Sequence, residues 1–233
     1  MICRAGTIGA AALLLAACAD EAPPAPADSG QAQEDPVAQA EVAGEERRIL
    51  AFGDSLFAGY GLAEADGYPE KLEAALRARG IDARVADAGV SGDTTAGGRQ
   101  RIAFVLDAMG RAPDLALVEL GGNDLLRGLS PAEARGNLSA ILAELQSRGI
   151  PAVVYGMRAP PNAGPEYQAA FDAIYPELAR EYDAELVPFF MQPLLDRPQW
   201  VQPDRIHPTA DGIETLVAAT ADDVVTALPD EGE

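Results

Sequence analysis

The chain carries a single histidine, His207, with Asp204 three residues before it. Far upstream, Ser55 lies in Gly53-Asp54-Ser55-Leu56, directly after the apolar run Ile49-Leu50-Ala51-Phe52. Serine is a weak nucleophile until a base takes its proton, and an imidazole oriented by a carboxylate is one group that does so. A spacing of three on a loop lets the Asp204 carboxylate fold back onto the His207 ring and leave the other nitrogen free as a base. An acyl-transfer site also needs donors for the oxyanion that develops on the carbonyl oxygen. Gly89-Val90-Ser91-Gly92-Asp93-Thr94-Thr95 combines glycines with small hydroxyls, so a backbone N–H of this segment can approach a ligand closely. Gly121-Gly122-Asn123-Asp124 puts a side-chain amide, that of Asn123, after another apolar run. Taken singly, each segment also reads as ordinary turn or helix-cap chemistry.

Short apolar runs alternating with longer helical patterns must position these groups. Strands are predicted at Ile49–Phe52, Ala83–Asp87, Leu115–Leu120, Ala152–Tyr155 and Glu185–Val187. Helices are predicted at Tyr68–Arg79, Thr94–Met109, Ser130–Arg148, Pro165–Tyr182 and Pro208–Ala227, several opened by Pro or a polar cap and closed by Gly. Five strands with crossover helices make an α/β fold, a three-layer flavodoxin-like architecture around a five-stranded parallel sheet. In such sheets a site forms at the carboxyl ends of the strands, where all four segments fall.

At 233 residues there is room for one domain with a sizeable core. The net charge of -20 would repel phosphate backbones, which argues against nucleic acid as a partner. Residues 1–17 read as a signal peptide, with Arg4 ahead of a short apolar stretch that ends in Leu15-Ala16-Ala17-Cys18. That string resembles a bacterial lipobox, which marks Cys18 for lipidation and implies an exported, periplasmic protein held on a membrane, the outer one in the first instance. Residues 18–46 read as a disordered tether with eight Asp or Glu after Cys18 and no Lys or Arg. Residues 47–227 form the folded domain and 228–233 an acidic tail. Cys3 and Cys18 are the only cysteines, so the mature chain has no intramolecular disulfide.

Taken together, the order of these segments resembles the SGNH (GDSL) hydrolase family. Phe52-Gly53-Asp54-Ser55-Leu56, Ser91-Gly92-Asp93-Thr94, Val118-Glu119-Leu120-Gly121-Gly122-Asn123-Asp124 and Ile206-His207-Pro208 look like its blocks. Phe171 to Pro176 and Val187 to Met191 do as well. The resemblance covers about residues 48 to 220 and points to the bacterial thioesterase I, arylesterase and lysophospholipase branch. It implies that Ser55 is the nucleophile, His207 the base and Asp204 its orienting carboxylate. The Ser55 and Gly92 N–H groups with the Asn123 side chain would then form the oxyanion hole. It implies a small acyl ester, thioester or lipid as substrate, with neither metal nor organic cofactor. A carbohydrate O-acetyl esterase uses the same machinery, and a non-catalytic binding domain on this scaffold is a rival of another class. The Gly-x-Ser-x-Gly elbow of α/β-hydrolases is absent, since Asp93 stands two residues after Ser91. The loop Gly156 to Gly164 and the residues Phe189, Phe190, Met191, Leu194, Leu195 and Trp200 are expected to line a shallow acyl groove.

Overall fold

A computed structural model describes residue 42 and residues 44–230. The signal peptide, Cys18 and most of the tether therefore lie outside the described residues. β1 (Arg47–Gly53) forms because Ile49 to Phe52 are apolar without a break and at most 1% exposed, as a strand covered on both faces requires. It pairs in parallel with β2 (Ala83–Gly89) and with β3 (Leu115–Glu119). β4 (Ala152–Tyr155) and β5 (Glu185–Val187) extend the sheet beyond β3, giving the order β2-β1-β3-β4-β5. This is the flavodoxin-like order, and the chain reverses its direction of growth between β1 and β3. A crevice opens there at the carboxyl ends of the two strands.

α1 (Tyr68–Ala78) and α7 (Ala210–Ala227) pack together on one side of the sheet. α2 (Thr95–Ala108) and α4 (Pro131–Ser147) pack together, and α4 also meets α5 (Pro165–Asp172) and α6 (Ile174–Glu181). The core is continuous and unusually aromatic behind β1. Phe57 stacks on Tyr68 at 4.8 Å and meets Tyr155 and Phe190 edge-on. The buried hydroxyls are satisfied, with Tyr68 bonded to both Tyr155 (2.8 Å) and Thr220 (2.6 Å).

Three local features depart from the sequence expectations. The segment 165–182 is two helices, because Pro176 lacks an N–H and its ring would collide with the Asp172 carbonyl in a continuous helix. The last helix begins at Ala210 rather than Pro208, since Pro208 bridges to Val201 and Thr209 caps the Gly212 N–H. A short helix, α3 (Gly122–Leu126), follows β3 and carries Asn123.

Candidate active site

The turn after β1 delivers Ser55 to the sheet's rim while Asp54, immediately before it, stays 2% exposed. Asp54 Oδ1 accepts from the Leu56 N–H (3.1 Å), which fixes the turn. Gly53 is required by close approach. A Cβ there would lie 2.8 Å from Phe57, 2.9 Å from the Glu119 carbonyl oxygen and 3.0 Å from its carboxyl Oε2.

The last turn before α7 supplies the histidine. Arg205 has a φ of 63°, a left-handed conformation that closes the segment tightly around Asp204. Asp204 Oδ1 accepts from the backbone N–H groups of Ile206 (2.9 Å) and His207 (3.1 Å). Its other oxygen, Oδ2, lies 2.6 Å from His207 Nδ1. The imidazole hydrogen bond, then those two backbone donors, hold the Asp204 carboxyl down to about 2. His207 Nε2 in turn lies 2.8 Å from Ser55 Oγ. A serine hydroxyl, an imidazole and a carboxylate thus form one unbroken chain of hydrogen bonds.

Two supports hold the imidazole from outside. The Tyr60 ring lies 4.4 Å from it, tilted by 32°. Gln202 ties the two loops together, its side-chain amide donating to the carbonyls of Tyr60 and Pro208, both at 2.8 Å. The Gln202 N–H also donates to the His207 carbonyl (2.7 Å).

The remaining two segments meet the serine across an open pocket of about 380 Å³. Gly92, with a φ of +81°, lies on its wall. Its carbonyl accepts from Arg127 (2.7 Å). Asn123 reaches the pocket from the first turn of α3, and its Nδ2 donates one hydrogen to Asp54 Oδ2 (2.9 Å). That bond uses one of the two Nδ2 hydrogens. α3 is itself anchored by Asp124, which accepts from the N–H (2.8 Å) and hydroxyl (2.6 Å) of Thr95. Ser55, Gly92, Asn123 and His207 all line this one pocket, and Asp204 sits behind the imidazole.

The expected groove residues lie elsewhere. Phe190 and Leu194 are core side chains, and none of the residues 156–164, 189–195 or 200 lines the pocket. Its apolar wall is made by Leu56, Tyr60, Leu126 and Ile206. Leu126 is 62% exposed and Tyr60 52%, so this is an open apolar rim rather than a tunnel. Sequence reasoning also missed a buried acid, Glu119, the last residue of β3 and the register partner of Gly53. Its Oε2 accepts from the Asp54 N–H (3.2 Å), and burial followed by the Asp54 charge pushes its carboxyl well above the usual range. Burial raises Asp54 too, opposed by the donors from Leu56 and Asn123 and by its contact with Glu119.

Residues 51–214 match the family model described as the GDSL-like Lipase/Acylhydrolase family, over more than half of the chain. The chain belongs to this family. It is 36% identical over 181 residues to the arylesterase of Vibrio mimicus, covering 78% of this chain and 90% of that protein. It is 39% identical over 163 residues to the thioesterase 1/protease 1/lysophospholipase L1 of Escherichia coli K12, covering 70% of this chain and 76% of that one. Among solved structures, the SGNH-hydrolase family esterase AlinE4 is 65% identical, with a TM-score of 0.68, over 81% of this chain and all of the other. The structure of TesA superposes with a TM-score of 0.73 at 35% identity, over 78% of this chain and all of TesA. The protein is an SGNH-fold serine hydrolase acting on carboxylic esters.

Proposed function

We propose that Ser55 Oγ attacks the acyl carbonyl while His207 Nε2 takes its proton, with Asp204 holding the ring and balancing the imidazolium. The continuous Asp204–His207–Ser55 hydrogen-bond chain at the mouth of the pocket carries this reading. The backbone N–H groups of Ser55 and Gly92 and the free Nδ2 hydrogen of Asn123 receive the oxyanion. The imidazolium then protonates the leaving alkoxide or thiolate. Water attacks the acyl-serine through the same base, releasing the acid and restoring Ser55.

The substrates on this reading are esters or thioesters of short to medium acyl chains, including lysophospholipids. The apolar rim of Tyr60, Leu126 and Ile206 suits a hydrocarbon chain better than a sugar ring, which favours this over carbohydrate O-acetyl esterase activity. The Leu15-Ala16-Ala17-Cys18 string supports export, lipidation at Cys18 and membrane attachment. Fractionation with membranes that is lost in Cys18→Ser checks the anchor, and a wholly soluble parent refutes it.

The deciding experiment is hydrolysis of p-nitrophenyl esters of graded chain length by wild type, Ser55→Ala and His207→Ala. Both variants should lose roughly 10⁴–10⁶-fold in kcat. Activity that survives Ser55→Ala sinks the mechanism, and a profile restricted to acetate sinks the substrate reading.

A further inference from the structure

Two carboxyl groups, Asp54 and Glu119, are buried side by side beneath the nucleophile turn, and acyl transfer as described uses neither. Asp54 is an acceptor at both oxygens, taking the Leu56 N–H on Oδ1 and the Asn123 amide on Oδ2. Glu119 is fully buried and takes one weak donor, the Asp54 N–H, on Oε2. Its Oε1 has no hydrogen-bond partner among the described residues. The groups around the pair supply little positive charge. On α2, Arg101 reaches the adjacent Gly53 carbonyl but is engaged there, on the Ala88 carbonyl and on Asp93. On α6, the Tyr175 hydroxyl donates to the Leu120 carbonyl, and on α3 Asp124 adds a further negative group bonded to Thr95. His207 faces Asp54 from the α7 side and favours its charged form. Two adjacent carboxylates cannot both stay ionised in such a setting, and one proton must be retained between them.

We propose that Glu119 keeps this proton and that the Glu119–Asp54 pair is the strut that aims Asn123 at the oxyanion. Asp54, left ionised, grips one Nδ2 hydrogen of Asn123 by a charge-assisted bond and so fixes the direction of the other. Glu119 is a positioning residue that acts through Asp54 and Asn123 without touching substrate. Ionising it would place a second charge against Asp54 and disturb the carboxylate that Asn123 leans on. Gly53 lets the turn lie this close to Glu119, since a Cβ there would crowd the Phe57 ring, the Glu119 carbonyl oxygen and its carboxyl Oε2.

The inference rests on Asn123 acting as an oxyanion donor, and its test separates the two ideas. Infrared difference spectra of protein carrying isotope-labelled glutamate should show a protonated-carboxyl stretch at neutral pH that Glu119→Gln removes. Glu119→Gln, which keeps a donor without the titrating proton, should hold kcat within a few-fold. Glu119→Leu should lose about 10²-fold in kcat with little change in KM, comparable to losing one oxyanion donor. Adding Asn123→Ala to Glu119→Leu should then cost little more, since both act on one interaction. Absence of the protonated band in wild type overturns the proposal even if a variant fails to fold. Glu119→Gln as inactive as Glu119→Leu, or full additivity with Asn123→Ala, overturns it as well. If Asn123→Ala alone keeps full kcat, the oxyanion assignment and the strut fall together, and the infrared band still reports whether the pair holds a proton.

Discussion

Gly92→Ala isolates backbone conformation from steric fit. A Cβ at Gly92 would meet only the Arg127 guanidinium, at 3.6 Å, an ordinary contact with the end of a flexible side chain. The φ of +81° is the obstacle, since an L-residue held in the left-handed region costs about 1–2 kcal/mol. The loop has two responses. If it keeps its shape, stability drops by that amount and Tm by about 2–8 °C for a domain of this size. If it relaxes to negative φ, the strain disappears but the Gly92 N–H turns out of the pocket, and kcat falls by about 10²-fold or more. Thermal melting and kcat measured on the same preparation distinguish the two, and Gly92→Asn should suffer less in both because Asn tolerates this region. An alanine variant with both Tm and kcat of the wild type would refute the reasoning, leaving neither a strained loop nor an oxyanion donor at this position.

Asp204→Ala should reduce kcat less than His207→Ala does, because Asp204 lies on the solvent side and water can accept from Nδ1 in its place; equal losses would contradict this. The Asp204 carboxyl is held at about 2 against an ordinary 3.8, so the stability it contributes is present above about pH 4 and lost as pH falls through about 2. Acid-unfolding curves of wild type and Asp204→Ala should converge at the low end. Glu119 has the opposite sign: its raised carboxyl contributes stability fully below its ordinary 4.5 and loses it as pH rises. The Tm of Glu119→Gln relative to wild type should therefore climb as pH rises above the ordinary carboxyl range, whereas a constant gap would mean no differential titration. Leu126→Ala should lower kcat/KM for an octanoyl ester by about three- to tenfold while leaving acetate nearly unchanged, and a uniform loss would remove Leu126 from the chain-binding wall.

The strands were readable because a parallel sheet covered on both sides demands unbroken apolar runs, and Ile49 to Phe52 and Leu115 to Val118 supply them. Ser55, Gly92, Asn123 and the Asp204–His207 segment were readable because each follows a strand or precedes a helix at the one rim where the topology can gather them. The groove was not. An apolar residue near the site has the same type whether it faces the core, as Phe190 does, or the pocket, as Ile206 does, and only packing separates them. Glu119 was hidden for a related reason. One acid at the end of an apolar strand looks like the strand's boundary, and nothing in sequence spacing pairs it with Asp54 across the sheet. The break at Ala173 was available from Pro176 and its missing N–H, although the apolar spacing runs smoothly across it.

The segment from Val201 to Pro208 is anchored at its two ends, where Val201 packs against the core and bridges to Pro208, and between them it is held by the Gln202 bonds and by His207 on Ser55, with residues 203–206 exposed. Base and orienting acid therefore ride on a small clasp that can open locally while the sheet stays folded. Activity should then be lost on heating below the temperature at which the sheet melts, and coincident inactivation and melting curves would show that clasp and sheet open as one. An engineer seeking a hotter-running enzyme would therefore tighten the clasp before the core.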